Sequence, residues 1–268
     1  APTDDSGGIG GAGGGGKGGG SARRTPTEAD DTLQSVQFAN VLDLISEGEI
    51  EGLDDSYKSI FLDDTPVQNQ DGTFNFIGGT IATRVGTQDQ LHIPGPFNSV
   101  ESETAVNLPV EKDTPVTRSV TGLNTDRVRI TLTIPSLQIL DDDGNVIGHK
   151  VQIKILIKYT GETDFTEVVD DTISGKSSNR YQRDYLINVT GTMPAEVRMV
   201  RVSADETSQK RASSTIFQSF TEIIDDKFRY PNSALVGLRL DSRQFQSIPT
   251  RKYLIRGIKV KIPSNATV

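Results

Sequence analysis

With 268 residues and a formal net charge of −8, the chain is long enough for one large or two smaller domains and too acidic to be a natural grip for a phosphate backbone. It has no cysteine, which excludes disulfides and thiolate metal centres; no apolar run approaches membrane-spanning length, and no signal-peptide pattern opens the sequence.

Eleven glycines fall between Gly7 and Gly20. Glycine loses the most entropy on ordering and has no side chain to bury, so residues 1–24 are expected to form a disordered, flexible arm. Such an arm would become fixed only between subunits, where Lys17, Arg23 and Arg24 could pair with acidic residues of neighbouring chains. The match Gly11-x4-Gly16-Lys17 to a phosphate-cradling loop is followed by Gly18 rather than Ser or Thr and has no strand before it, so composition alone explains it. Thr25, Pro26 and Glu28 form a capping-box pattern with proline at the first helical position, which predicts a short helix over Pro26–Leu33.

Beyond it the pattern is β-rich. Arg127–Ile134 alternates basic or hydroxyl residues with Val128, Ile130, Leu132 and Ile134, and Val151–Tyr159 does the same with Val151, Ile153, Ile155 and Ile157. Tyr185–Val189, Val197–Ser203, Ala234–Leu240 and Tyr253–Ile262 read similarly, and Ile216–Phe228 is read as a strand for its Thr, Ile and Phe content. Turns are expected at Asp71-Gly72, Asp143-Gly144, Ser174-Gly175 and Pro231-Asn232. Gly48, Gly52 and Gly257 are expected at positive-φ turns or close backbone approaches. Many short strands with few long helical patterns point to a sandwich or barrel.

No constellation of reactive residues assembles. Asp141-Asp142-Asp143-Gly144-Asn145 has Val146 where a calcium loop needs glycine, so it reads as a hairpin turn between Ile139-Leu140 and Val146-Ile147. His92 falls in a loop and His149 opens a strand, neither beside a nucleophile pattern or at zinc spacing. The carboxylate pairs Asp63-Asp64, Asp170-Asp171 and Asp225-Asp226 are expected at wet strand ends, and the absence of tryptophan leaves little to stack a sugar. The chain is therefore expected to be no enzyme and to need neither metal nor cofactor. Arg239, Arg243, Arg251, Lys252, Arg256, Lys259 and Lys261 crowd the C-terminal stretch. They form either a solvated face or an intersubunit strip, with Arg256, Lys259 and Lys261 meeting an acidic stretch such as Ser46–Asp55 of a neighbour.

The stretch Phe220–Asn265 (FTEIIDDKFRYPNSALVGLRLDSRQFQSIPTRKYLIRGIKVKIPSN) resembles the N-terminal hub region of the tail tip attachment protein (host specificity protein J) family of lambda-like long-tailed phages. ISEGEIEG at Ile45–Gly52 with KSIFLDDTPV at Lys58–Val67 is similar to the family's opening, and Asp113–Ile134 to its middle, so the resemblance runs from about Thr25 to Asn265. It implies a discontinuous β-rich hub domain made from Gln34–Leu91 and Ser214–Ser264, interrupted by an inserted β-sandwich over about Pro109–Ala212. In blocks this is an arm at 1–24, a first hub part at 25–108, the sandwich at 109–212 and a second hub part at 213–268. The resemblance further implies a homotrimer in the virion, assembled in the host cytoplasm. It would close the distal tail tube against the distal tail ring protein, other tail tip proteins and the tape-measure protein, helping host attachment and letting DNA pass without holding it. The rival expectation from composition is a secreted or surface β-module that binds carbohydrate or a cell surface.

Overall fold

The computed structural model describes residues 25–245, 247–258, 262 and 265. Five strands come first: β1 (Phe38–Glu47), β2 (Ile50–Leu53), β3 (Ile60–Leu62), β4 (Thr65–Pro66) and β5 (Thr80–Val85), with one 3-10 turn at Ser56–Ser59. A second set follows: β6 (Ser99–Pro109), β7 (Val116–Val120), β8 (Arg127–Ile134), β9 (Gln138–Leu140), β10 (Val146–Ile147), β11 (His149–Tyr159), β12 (Thr166–Gly175), β13 (Tyr181–Asn188), β14 (Ala195–Arg201), β15 (Arg211–Ala212) and β16 (Ile216–Asp225). The described chain closes with β17 (Ser233–Asp241), β18 (Arg251–Tyr253) and β19 (Ile255–Ile258).

The second set makes a sandwich of two antiparallel sheets, ordered β12-β11-β14-β7 and β13-β8-β16-β6. Alternation builds it. Val128, Ile130, Leu132 and Ile134 of β8 and Val151, Ile153, Ile155 and Ile157 of β11 are all buried in one core, while the residues between them face outward. Each such side chain contributes about 1.5–3 kcal/mol by leaving water. Phe217 and Phe220 of β16 enter the same core, their rings edge to face at 6.4 Å. The strand expected over Ile216–Phe228 is present and ends at Asp225. β16 pairs with β8 on one side and β6 on the other, so the sandwich's paired strands extend past residues 109 and 212, from Ser99 to Asp225.

The remaining strands surround a smaller core. β17 lies between β1 and β5, and β3 pairs with both β4 and β18, bringing Ile60, Leu62 and Val67 against Val236, Leu238 and Leu240. On the other face of β17, the loop between β5 and β6 lays Phe97 and Ile93 over Leu235. Gly237 permits this, because a Cβ there would sit 3.1 Å from the Phe97 ring. Tyr230-Pro231-Asn232 makes the expected reversal into β17, with Tyr230 at φ 48° and Asn232 at φ 56°. The Asp143-Gly144 hairpin also forms, pairing Leu140 with Val146 and Ile139 with Ile147.

Three local expectations are corrected. Pro26–Leu33 is not a helix but an extended strap. Its backbone amides find partners elsewhere: Thr27 N–H donates to Asn145 Oδ1, Ala29 N–H to the Val146 carbonyl, and Thr32 and Leu33 N–H to the Lys176 carbonyl. Glu28 turns away from its own backbone to Lys176 Nζ, 2.8 Å away, and Asp31 joins it at 2.7 Å. Ser174-Gly175 is no turn but the end of β12, paired with Lys150 and His149. Gly48 and Gly52 have positive φ (93° and 144°), whereas Gly257 lies in β19 with open space beside it.

Removing the Lys176 charge with Lys176→Met is expected to release the strap without unfolding the sandwich. Amide exchange at Ala29, Thr32 and Leu33 should accelerate by about tenfold or more while β8 and β11 stay protected. Unchanged exchange along the strap would show that its backbone pairing suffices.

Glu222 gives a second test. Burial pushes its carboxyl up, but hydrogen bonds from the Gly122 and Thr121 N–H groups and from the Thr125 and Thr121 hydroxyls outweigh this and hold it below the usual glutamate range. A depressed folded value means the stabilisation is complete above the ordinary glutamate range and is lost as pH falls through the folded value. Glu222→Gln is therefore expected to cost about 1–3 kcal/mol at neutral pH. In denaturant titrations the gap to the parent should close as the pH falls below the glutamate range. A pH-independent gap would refute the charged role.

Candidate interaction surface

The alternation that buries Val128 and Ile130 necessarily turns Arg127 and Arg129 to the outside of the sandwich. There they meet the exposed end of the β1-β17-β5 sheet, on the side that Phe97 leaves uncovered. Between the two sheets lies a cleft of about 800 Å³, lined by Phe38, Glu101, Arg127, Arg129, Asp184 and Arg239 among others.

Its charges are unevenly matched. Arg127 makes a two-pronged pair with Asp225, Nε to Oδ2 at 2.7 Å. Arg129 makes one with Glu101, with Nη1 3.2 Å from Oε1. Burial pulls the Arg129 guanidinium down and Glu101 more than restores it, so it stays charged. Arg239 differs. Its guanidinium carbon lies 3.9 Å from the centre of the Phe38 ring, and its buried Nε has no hydrogen-bond partner among the described residues.

Of the residues singled out from sequence for intersubunit contact, Lys17, Arg23, Arg24, Lys259 and Lys261 lie outside the described residues. Arg256 is on β19, opposite Gly52 of β2, and reaches Asp54 at 3.1 Å and Glu51 at 3.4 Å in its own chain. Arg251, Lys252 and Arg243 of the basic stretch are also engaged at home. Arg251 and the Tyr253 hydroxyl converge on Asp43, Lys252 meets Asp64, and Arg243 holds Asp241. Burial pushes the Asp43 carboxyl up, and its bonds from Arg251 and Tyr253 bring it below the usual carboxylate range.

The two histidines are far apart: His92 lines the cleft, whereas His149 lies on the sandwich. The His92 carbonyl accepts from Arg84, while His149 Nε2 lies 2.7 Å from Glu206 Oε1. Ser213 donates its hydroxyl to the same Glu206 oxygen rather than to the imidazole, and is only 1% exposed. That leaves the hydroxyl turned away from the base a nucleophile would need. Asp170 and Asp171, expected at a strand end, lie within β12, where they serve Gln152 and Lys154 and the Tyr185 hydroxyl respectively. Among the described residues no His, Asp and Glu side chains gather in threes to hold a metal ion, and no helix is long and apolar enough to cross a membrane.

The cleft was not foreseen. Its one visible signal is RVRITLTI, whose outward positions carry two arginines where a plain solvent face would suffice.

Comparison with known proteins bears on the whole chain. Residues 100–226 match the family model for the FNIII-A domain of tip attachment protein J, coinciding with the sandwich strands β6 to β16. The tip attachment protein J of Escherichia phage SECphi4 is 37% identical over 92% of this chain and 22% of its own length. That of Escherichia phage SECphi27 is 34% identical over 90% of this chain and 20% of its own. The chain thus spans about a fifth of the length of these curated relatives. Among solved structures, a xylan-binding domain from Paenibacillus barcinonensis superposes with a TM-score of 0.28 at 10% identity, covering 70% of this chain and 98% of that one, too weak a likeness to bear on function. With its sandwich matched by the family model and most of its length aligned to the two phage proteins, the chain belongs to the tip attachment protein J family.

Proposed function

We propose that this chain is a structural, non-enzymatic component of the distal tail tip, a hub segment that helps close the tail tube. The observation that carries the reading is the extent of relatedness: 92% of the chain aligns with a tip attachment protein J, through hub strands and sandwich alike. In this reading β1 to β5 and β17 to β19 form one discontinuous hub domain, and the sandwich is its insertion. The hub assembles as a homotrimer in the host cytoplasm and takes its place in the virion against the distal tail ring protein, other tail tip proteins and the tape-measure protein. Lys17, Arg23, Arg24, Lys259 and Lys261 supply contacts to neighbouring chains, and Arg256, whose side chain remains 54% exposed beside its own carboxylates, can extend that strip. The acidic balance suits a passage through which DNA slides without being held.

Reconstruction of virions carrying this chain is expected to show it with threefold symmetry at the distal end of the tail. Location elsewhere on the particle, or another symmetry, would refute the hub reading. Lys259→Glu with Lys261→Glu should weaken self-association by about tenfold or more, with a steep salt dependence, measured by analytical ultracentrifugation.

A further inference from the structure

The cleft between the two sheets holds an arginine without an anion. Arg127 and Arg129 each have a carboxylate in the same chain, whereas Arg239 has only the face of Phe38 and a buried Nε with no acceptor among the described residues. A half-buried guanidinium is matched best by a planar carboxylate that can take two parallel N–H bonds. The Phe38 ring covers one side of the Arg239 guanidinium, so such a group would arrive away from the ring.

The walls are apolar as well. Val36, Phe38 and Leu186 line the same cleft and are 38%, 38% and 54% exposed. Val36 precedes β1, Phe38 opens it and Leu186 belongs to β13, so apolar surface from both units converges on one opening. A volume of about 800 Å³ is within the usual range of about 300–1,000 Å³ for binding sites.

The charge around Arg239 restricts the occupant further. Glu101, Asp184, Asp225 and Asp226 border the cleft beside Arg127, Arg129, Lys227 and Arg239, so acids and bases alternate there and no continuous basic track is offered to a polyanion such as DNA. A single carboxylate is accommodated. We propose that the cleft is a docking groove for an extended segment of another protein, which presents one carboxylate to Arg239 and seats flanking apolar side chains against Phe38 and Leu186. This concerns a surface within one chain and does not depend on the trimeric hub reading.

The test uses the full 268-residue chain, labelled with ¹⁵N, and the probe peptide acetyl-Ser-Leu-Asp-Leu-Ser-amide. Amide shifts should move at Phe38, Leu186 and Arg239 and leave the far sheet, β11 and β14, unchanged. The same peptide with Asn in place of Asp should bind about tenfold more weakly or worse, since it lacks the charge. Arg239→Met keeps the stem over Phe38 and removes the charge, and should cost the Asp peptide the same factor while leaving the Asn peptide unaffected. Leu186→Ser alters an exposed side chain that folding does not need, and should weaken both peptides. Equal affinity for the two peptides would overturn the proposal, as would shifts lying outside the cleft. A DNA duplex that moves the Arg239 resonances more readily than the Asp peptide would equally overturn it. So would movement of the cleft resonances on dilution alone, which would make a second copy of the chain the occupant.

Discussion

The structure depends on one antiparallel register, Ser99 opposite Asp225. The sandwich begins and ends at that pair, so everything between is a closed excursion whose two ends lie side by side. β17 starts a few residues later and must lie between β1 and β5, strands that left the chain long before. Closing a loop of that length costs entropy, and the cost falls when the intervening chain is already folded with its ends together. The β6–β16 ladder therefore does more than extend a sheet: it delivers β17 to the place where the second core closes on Val236, Leu238 and Leu240.

The strap reinforces this from the other end. Before entering β1 the chain runs across the sandwich, held by Val146, Lys176 and Gln182, and then meets Ser242 just beyond β17. Gly175 makes room for it, since a Cβ there would lie 2.6 Å from Thr32 Oγ1. The sandwich is thus tied to the smaller core along three routes, the strap, the β5–β6 loop and the β16–β17 turn. The cleft is the space between those ties, and its walls are set by main-chain pairing rather than by side-chain fit.

Legibility in the sequence followed the locality of the physics. β8 and β11 were readable because one buried face imposes alternation, β17 because a strand covered on both faces reads as a nearly continuous apolar run, and the Asp-Gly and Tyr-Pro-Asn turns because their backbone angles restrict residue choice. β6 was not, because ten of its eleven residues are exposed or half-buried and show no alternation. The strap was misread for a related reason. Thr25, Pro26 and Glu28 do satisfy local helix chemistry, but Lys176 and Val146, over a hundred residues away, compete for the same groups and win. The sandwich limits near 109 and 212 were read from polar linker-like sequence, while β6 and β16 carry the paired strands on to Ser99 and Asp225.

The charged residues show the same division. Sequence could pick out a basic C-terminal stretch but not its partners, and most of its described members are engaged inside the chain: Arg251 with Asp43, Lys252 with Asp64, Arg256 with Glu51 and Asp54. Exposed pairs of this kind contribute little stability each, so their presence says more about specificity than about folding. Arg239 stands apart because it belongs to a strand whose opposite face is core. Its side chain cannot leave the sheet's outer surface, and on the sandwich wall opposite Asp225 and Glu101 are spent on Arg127 and Arg129 while Asp184 accepts from the Thr131 hydroxyl. An unmatched charge held in place by two otherwise well-matched units is more informative about binding than any of the ion pairs around it, since the fold gives it no work of its own beyond the stack on Phe38.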